Sequence, residues 1–169
     1  MSKKGYLSAE EYRAIRTVLG LTQEEAQKLH KVQNRKTIQR WENGDSFVSE
    51  LACDTIMSLF KTINAQVNET CDMIAEHFEN TPKEEWATSV LIVYPDSCYK
   101  QYIFGIGDLP NSVHKTMINR IYTEMNELGY PVGIITFNPQ AYFTFLASNG
   151  LKDCHESRAA WAAQAYSEV

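Results

Sequence analysis

Within its first 44 residues this chain issues three sets of helix start and stop signals, which leaves room only for short helices joined at tight corners. Ser8-Ala9-Glu10-Glu11 reads as a capping box, with Ser8 as the N-cap and Glu11 reaching back to it. Tyr12, Ile15, Val18 and Leu19 then recur at helical spacing, and Gly20 supplies a stop. Thr22-Gln23-Glu24-Glu25 repeats the box two residues later, and Ala26, Leu29 and His30 carry a second helix towards Val32. After the polar Gln33-Asn34-Arg35-Lys36, a third short helix buries Ile38 and Trp41 at i, i+3 and stops near Asn43-Gly44. Three short helices with abrupt joints predict a compact all-helical head.

Downstream the pattern lengthens. Ser49 is positioned to cap a helix whose apolar residues Ile56, Phe60, Ile63, Val67, Cys71, Ile74 and Phe78 fall at intervals of three and four. Such a stripe either packs within its own chain or contributes part of a dimer seam. Thr81-Pro82 closes it and opens a one-turn helix, Pro being favoured at the first helical position. Residues 89–94 are β-rich, Pro95-Asp96 is a turn, and Tyr99 to Phe104 is a second strand candidate. Ser112 to Leu128 reads as an amphipathic helix capped by Ser112 and ended by Gly129, and Tyr130 to Phe137 as a third strand. Asn138-Pro139 opens a helix that Asn149-Gly150 closes, and residues 153–156 cap a last, alanine-rich one. The expected fold is α+β: a helical head (1–64) joined by a long helix to a small α+β second domain (65–169) for dimerisation or effector binding.

Charge is segregated along this order. The net charge is −5, but residues 1–44 hold nine Lys/Arg against five Asp/Glu, and residues 45–169 hold seven against sixteen. The basic end can face a polyanion while the acidic end keeps the particle soluble. No apolar run reaches the roughly 18 residues that span a bilayer, and no apolar segment follows Lys3-Lys4, so secretion is not expected. The four cysteines form no C-x-x-C pair, which suits free thiols in a reducing cytoplasm.

The third helix carries the functional signal. With Ile38 and Trp41 as its packed face, Arg35, Lys36 and Gln39 are expected to point outward, with Thr37 and Arg40 at the margins. Arg and Lys suit guanine edges and Gln suits adenine edges in a DNA major groove. The start of the second helix, around Thr22 and Gln23, is placed to meet a phosphate through free backbone N–H groups. The opening Gly20-Leu21-Thr22-Gln23-Glu24-Glu25 and the close Thr37-Ile38-Gln39-Arg40-Trp41-Glu42-Asn43-Gly44 resemble the lambda-repressor/Cro type of helix-turn-helix. Two departures stand out: the spacing from Val32 to Ile38 is one residue longer than the family norm, and Gln27 and Lys31 occupy positions usually held by small residues. More narrowly, Trp41-Glu42-Asn43-Gly44-Asp45, the run from Thr136 to Phe143 and Ser157-Arg158-Ala159-Ala160-Trp161 are similar to the second anti-CRISPR-associated repressor family and its longer relatives. The resemblance implies a homodimeric autorepressor on an inverted-repeat operator. The partners expected are double-stranded DNA and a second copy, with room for a small-molecule or protein partner at the second domain and none for a membrane.

Other motifs carry less. Ser112-Val113-His114-Lys115 has the S-x-x-K spacing of some acylating serine enzymes without their partner motifs. Gly105-Ile106-Gly107 meets Pro110 where a dinucleotide fingerprint needs glycine. Cys154-His155 with Cys98, or His77 with Cys71, lacks zinc-finger spacing. No nucleophile, base and orienting group occur together, so neither an enzyme nor a cofactor or metal site is expected. The aromatic group Tyr94, Tyr99, Tyr102, Phe104, Tyr130, Phe137, Tyr142, Phe143 and Phe145 reads as the core of the second domain plus a dimer face, with an effector pocket as the sharper alternative. A second functional class is an antitoxin-like module whose acidic half sequesters a basic partner while the head autoregulates its operon.

Overall fold

The computed structural model describes residues 6–102 and 109–168, and they form an α+β fold divided into two compact units, Met1–Gln66 and Val67–Val169. The Gly105-Ile106-Gly107 run and Phe104 lie outside the described residues.

The first unit is built from α1 (Ala9–Val18), α2 (Gln23–Leu29), α3 (Arg35–Glu42) and the first part of α4 (Glu50–Glu79). Both capping boxes form: Ser8 and Thr22 each accept from the N–H of the residue three along, and Glu11 and Glu25 each accept the cap's own N–H at 2.7 Å. Two orphan donors per helix start are thereby satisfied by neighbours in sequence. The core of the unit comprises Tyr12, Leu19, Leu21, Ala26, Ile38, Trp41, Val48, Ala52, Cys53, Ile56 and Ile63.

The second helix stops at Leu29, three residues short of the expected Val32. His30, the C-cap, keeps a right-handed backbone and places its ring beside Tyr12 and Trp41, and Lys31 then takes a left-handed backbone with φ of 53°. Gln27 donates from Nε2 to the Gln33 carbonyl at 3.3 Å across the same corner. Both departures from the repressor pattern therefore sit in the α2–α3 joint. A side chain in that conformation strains against its own backbone where glycine does not. Lys31→Gly is expected to raise the stability of the head by about 0.5–1 kcal/mol, read as a higher urea midpoint with unchanged slope. A lower midpoint would show that the lysine side chain contributes more than its backbone costs.

Ser49 caps α4, its hydroxyl accepting from the Ala52 N–H at 3.3 Å. Along that 30-residue helix Ile56, Ile63, Val67, Cys71 and Phe78 are buried, with Phe60 and Ile74 half-buried. In the second unit Phe78 stacks on Tyr130 at 5.4 Å and touches Trp86 at 5.1 Å, just after the 3-10 turn Lys83–Glu85.

The rest of the second unit runs β1 (Ser89–Val93), α5 (Tyr99–Tyr102), α6 (Asn111–Glu127), β2 (Val132–Thr136), α7 (Pro139–Asn149) and α8 (His155–Ser167). β1 and β2 pair in parallel, with Ser89 beside Val132 and Val93 beside Thr136. Parallel strands need a crossover between them, and α6 supplies it, packing on both strands as α8 also does. Val90, Ile92 and Ile135 pack against the aromatic core of Tyr94, Tyr99, Phe137, Tyr142 and Trp161. At Gly133 a Cβ would fall 2.4 Å from the Tyr166 ring, so that ring lies directly on the strand backbone.

Two expectations fail here. The second strand candidate is the helical turn α5 as far as Tyr102. Pro95 O accepts the N–H groups of both Cys98 and Tyr99, turning the chain helical where β propensity alone predicted extension. Ser112 is not the cap of α6. The helix begins one residue earlier with Pro110 at the cap position, and the Asn111 amide is spent on Tyr94 O and Asp96 instead. Phe143 is half exposed and stands outside the aromatic core. Among the described residues no helix is long and apolar enough to cross a membrane.

Candidate nucleic-acid interface

The surface of α3 is fixed by what lies behind it. Ile38, Trp41 and Glu42 are all buried. Trp41 meets Tyr12 edge-on at 5.6 Å and His30 at 5.7 Å, and Tyr12 and His30 are themselves 5.7 Å apart, so rings from α1, the C-cap of α2 and α3 close a triangle. Neither nitrogen of His30 nor the Tyr12 hydroxyl has a hydrogen-bond partner. The imidazole is thus held as a neutral ring, and burial pushes its pKa down from 6.5 to about 4.

Beside the triangle runs a polar chain. Arg16 donates from Nε to Oε1 of Glu42 and from Nη1 to the Leu21 carbonyl, tying the last turn of α1 to α3 and to the α1–α2 corner. Oε2 of Glu42 accepts from Gln23 Nε2 at 2.7 Å, and Gln23 Oε1 accepts from Gln39 Nε2 at 3.4 Å. The Arg16 and Glu42 side chains are only 13% and 4% exposed, so this is a buried ion pair whose remaining carboxylate oxygen is also satisfied.

These anchors rotate the outer face from the one expected. At 3.6 residues per turn, a buried arc running from Trp41 through Ile38 to Glu42 leaves Lys36 and Arg40 furthest from the core. Accordingly Lys36 and Arg40 are exposed, while Thr37 and Gln39 are half-buried on the flanks; Arg35 is exposed because it opens the helix. The expectation had Gln39 outward and Arg40 marginal; burial of the acidic Glu42, invisible to hydropathy, exchanges them. Asn34 precedes α3 without capping it through its side chain. Lys28 and Lys31 are exposed on α2 and the following corner, Lys28 in an ion pair with Glu24 at 2.9 Å.

At the start of α2 the expected phosphate donors are partly committed. The Thr22 N–H and hydroxyl are both taken up by the capping box with Glu25, and the Gln23 side chain turns inward to Glu42. The backbone N–H groups of Gln23 and Glu24 remain as first-turn donors without an intrahelical acceptor. Arg16, Glu42 and His30 are the residues that sequence reasoning passed over. The one available signal was spacing: Glu42 follows Ile38 by four residues and therefore shares its face.

A family model described as a domain of unknown function (DUF4447) matches residues 1–166. No curated protein matches the chain.

Proposed function

We propose that this chain, which belongs to the DUF4447 family, is a sequence-specific DNA-binding transcriptional regulator of the cytoplasm, a homodimeric autorepressor on an inverted-repeat operator. In this reading α2 and α3 are a helix-turn-helix of the lambda-repressor/Cro type. The observation that carries it is the exposure of Lys36 and Arg40 on the side of a helix opposite the buried Ile38, Trp41 and Glu42, with Arg35 exposed at its first position. A recognition helix needs that division: cationic donors free to enter a major groove, and an anchor that holds them in register. Thr22, Gln23, Thr37 and Gln39 flank the cationic face. Two heads on one face of B-DNA stand about 34 Å apart, which sets the half-site spacing of the operator. The second unit supplies dimerisation and any effector or protein contact.

The test is a gel shift of the purified chain on the DNA upstream of its own gene, over a range of salt. Affinity is expected to fall steeply as salt rises, because each neutralised phosphate releases counterions. Lys36→Ala should weaken binding about evenly across sequences and flatten the slope of log affinity against log salt by about one per head. Arg35→Ala should cost about 1–3 kcal/mol at a single base pair and relax the choice there. No shift at any salt would end the proposal.

A further inference from the structure

We propose that the outer edge of β1 is the seam on which a second copy of this chain pairs, strand against strand in antiparallel order about a twofold axis at Leu91. The proposal rests on the homodimer reading above and gives it a surface.

The ladder between the two strands fixes which backbone groups turn outward. The Ser89 N–H donates to Pro131 O and the Phe137 N–H to Val93 O, both at 2.9 Å. In a parallel pair every second residue turns its N–H and C=O to the neighbouring strand. Ser89, Leu91 and Val93 therefore face β2, while Val90 and Ile92 turn theirs away from it. Among the described residues nothing pairs with the Val90 N–H and C=O or with the Ile92 N–H. Ile92 O lies 3.4 Å from His114 Nε2 and keeps a second lone pair. Sheets commonly have about four to six strands, but among the described residues this one has β1 and β2 alone. Although α6 and α8 both pack on β1, all five of its residues stay half-buried, whereas β2 starts with the buried Val132 and Gly133.

Exposed edges are ordinarily guarded by charge or proline. β2 has Pro131 at its entry and Asn126 donating to Val132 O at 3.4 Å. Residues 86–94, which contain β1, hold neither a charge nor a proline. That neutrality selects the occupant. Residues 45–169 carry seven Lys/Arg against sixteen Asp/Glu, so a twofold contact on surface of that charge sets acid against acid, and one on the β1 edge does not. An axis at Leu91 sets Val90 opposite Ile92 of the second copy, and Ile92 opposite its Val90. Each of those pairs exchanges two hydrogen bonds, so the seam closes four, which no other symmetric register of these five residues reaches. Val90 and Ile92 meanwhile keep their side chains on the aromatic core of their own protomer.

The test is a disulfide trap in the full-length chain carrying Cys154→Ser, since Cys154 is exposed while Cys53, Cys71 and Cys98 are buried. At the axis Leu91 meets its own copy in a non-hydrogen-bonded pair, with Cα atoms about 4.5 Å apart, within disulfide reach. The two copies of Ser89 lie four residues apart along the strands, about 14 Å. Under mild oxidation Leu91→Cys is expected to cross-link as a dimer and Ser89→Cys to stay monomeric on a denaturing gel. Ser89→Cys combined with Val93→Cys should cross-link, because those positions lie opposite each other. Wild type is expected to sediment as a dimer. Val90→Pro removes one outward N–H from each protomer and should raise the dissociation constant about a hundredfold with the circular dichroism of the folded chain; if it does not fold, the cross-links decide. A wild-type dimer in which Leu91→Cys fails to cross-link, or Ser89→Cys links as readily, overturns the β1 seam and leaves the homodimer standing. A wild-type chain that sediments as a monomer at every concentration overturns both and leaves the edge to an extended segment of another protein.

Discussion

Replacing Glu42 by alanine is expected to destabilise the head by about 3–5 kcal/mol, the range for removing one partner of a buried ion pair. The change leaves the Arg16 guanidinium, 13% exposed, still donating to the Leu21 carbonyl but without its carboxylate, and it strips the acceptor from Gln23. Small domains hold roughly 5–15 kcal/mol in total, so a loss of this size opens the first unit for a substantial fraction of the time. Amide hydrogen exchange across residues 9–42 is the measurement, because it reads the head without contribution from the second unit. The companion variant separates charge from shape. Replacing Arg16 and Glu42 together by methionine removes both charges and restores most of the stability, as buried pairs exchanged for apolar groups of like volume commonly do. If the double replacement is as damaging as Glu42→Ala, the pair contributes more than mutual neutralisation and the desolvation argument is wrong.

Acidification is expected to weaken the same head through His30. The ring is packed between Tyr12 and Trp41 with no partner at either nitrogen, and its pKa in the fold is about 4 against an ordinary 6.5. Between those two values the unfolded chain binds a proton that the folded head refuses, so stability rises with pH across the window. It is complete above about pH 6.5, falls as pH drops, and levels off below about pH 4. After allowance for solvent screening of a ring that is not wholly enclosed, the swing is on the order of 2 kcal/mol. The carboxyls of Glu11 and Glu24 are held below their ordinary range, by the Ser8 backbone and by Lys28 respectively, and lose their charge at lower pH. The upper part of the window therefore belongs to the histidine. His114 in the second unit is also lowered by burial, which again makes residue-resolved exchange the suitable readout. His30→Phe keeps the aromatic triangle and should flatten the head's stability between pH 4.5 and pH 6.5 to within about 0.5 kcal/mol. A wild-type head equally protected at both ends of that range would show that the imidazole accepts its proton without leaving the core.

What each part of the chain revealed beforehand follows the range of the forces involved. Capping is a matter of three or four residues, and Ser8 with Glu11, Thr22 with Glu25, and Asn138 with Pro139 formed the helix starts their spacing predicted. Gly150 likewise ends α7 in a left-handed conformation. The segment 89–93 is strand because its run of β-branched and aliphatic residues can be buried on both faces. The exposure of Lys36 followed from periodicity alone, and that of Arg35 from its place as the first residue of α3. The failures lie where distant residues compete for the same atoms. Tyr99 has strand propensity, yet it sits in a helical turn whose N–H groups are drawn to Pro95 O and whose ring packs on His114. Asn111 was passed over as part of α6 because the acceptors it serves, Tyr94 O and Asp96, lie 15 to 17 residues upstream.

By itself, then, the sequence determined where most helices begin and end, that residues 1–44 are basic and the rest acidic, and that the molecule combines a helical head with an α+β unit. Those properties are local or additive, and neighbours along the chain suffice to decide them. Only the tertiary structure decided that the two strands run parallel across α6, that Gln39 lies on the flank of α3 while Arg40 faces out, and that Arg16, Glu42, Gln23 and Gln39 form one hydrogen-bonded chain. The physical reason is the same in each case. A buried polar atom must find its partner wherever folding brings one, and that partner was set by packing between helices rather than by any spacing along the chain.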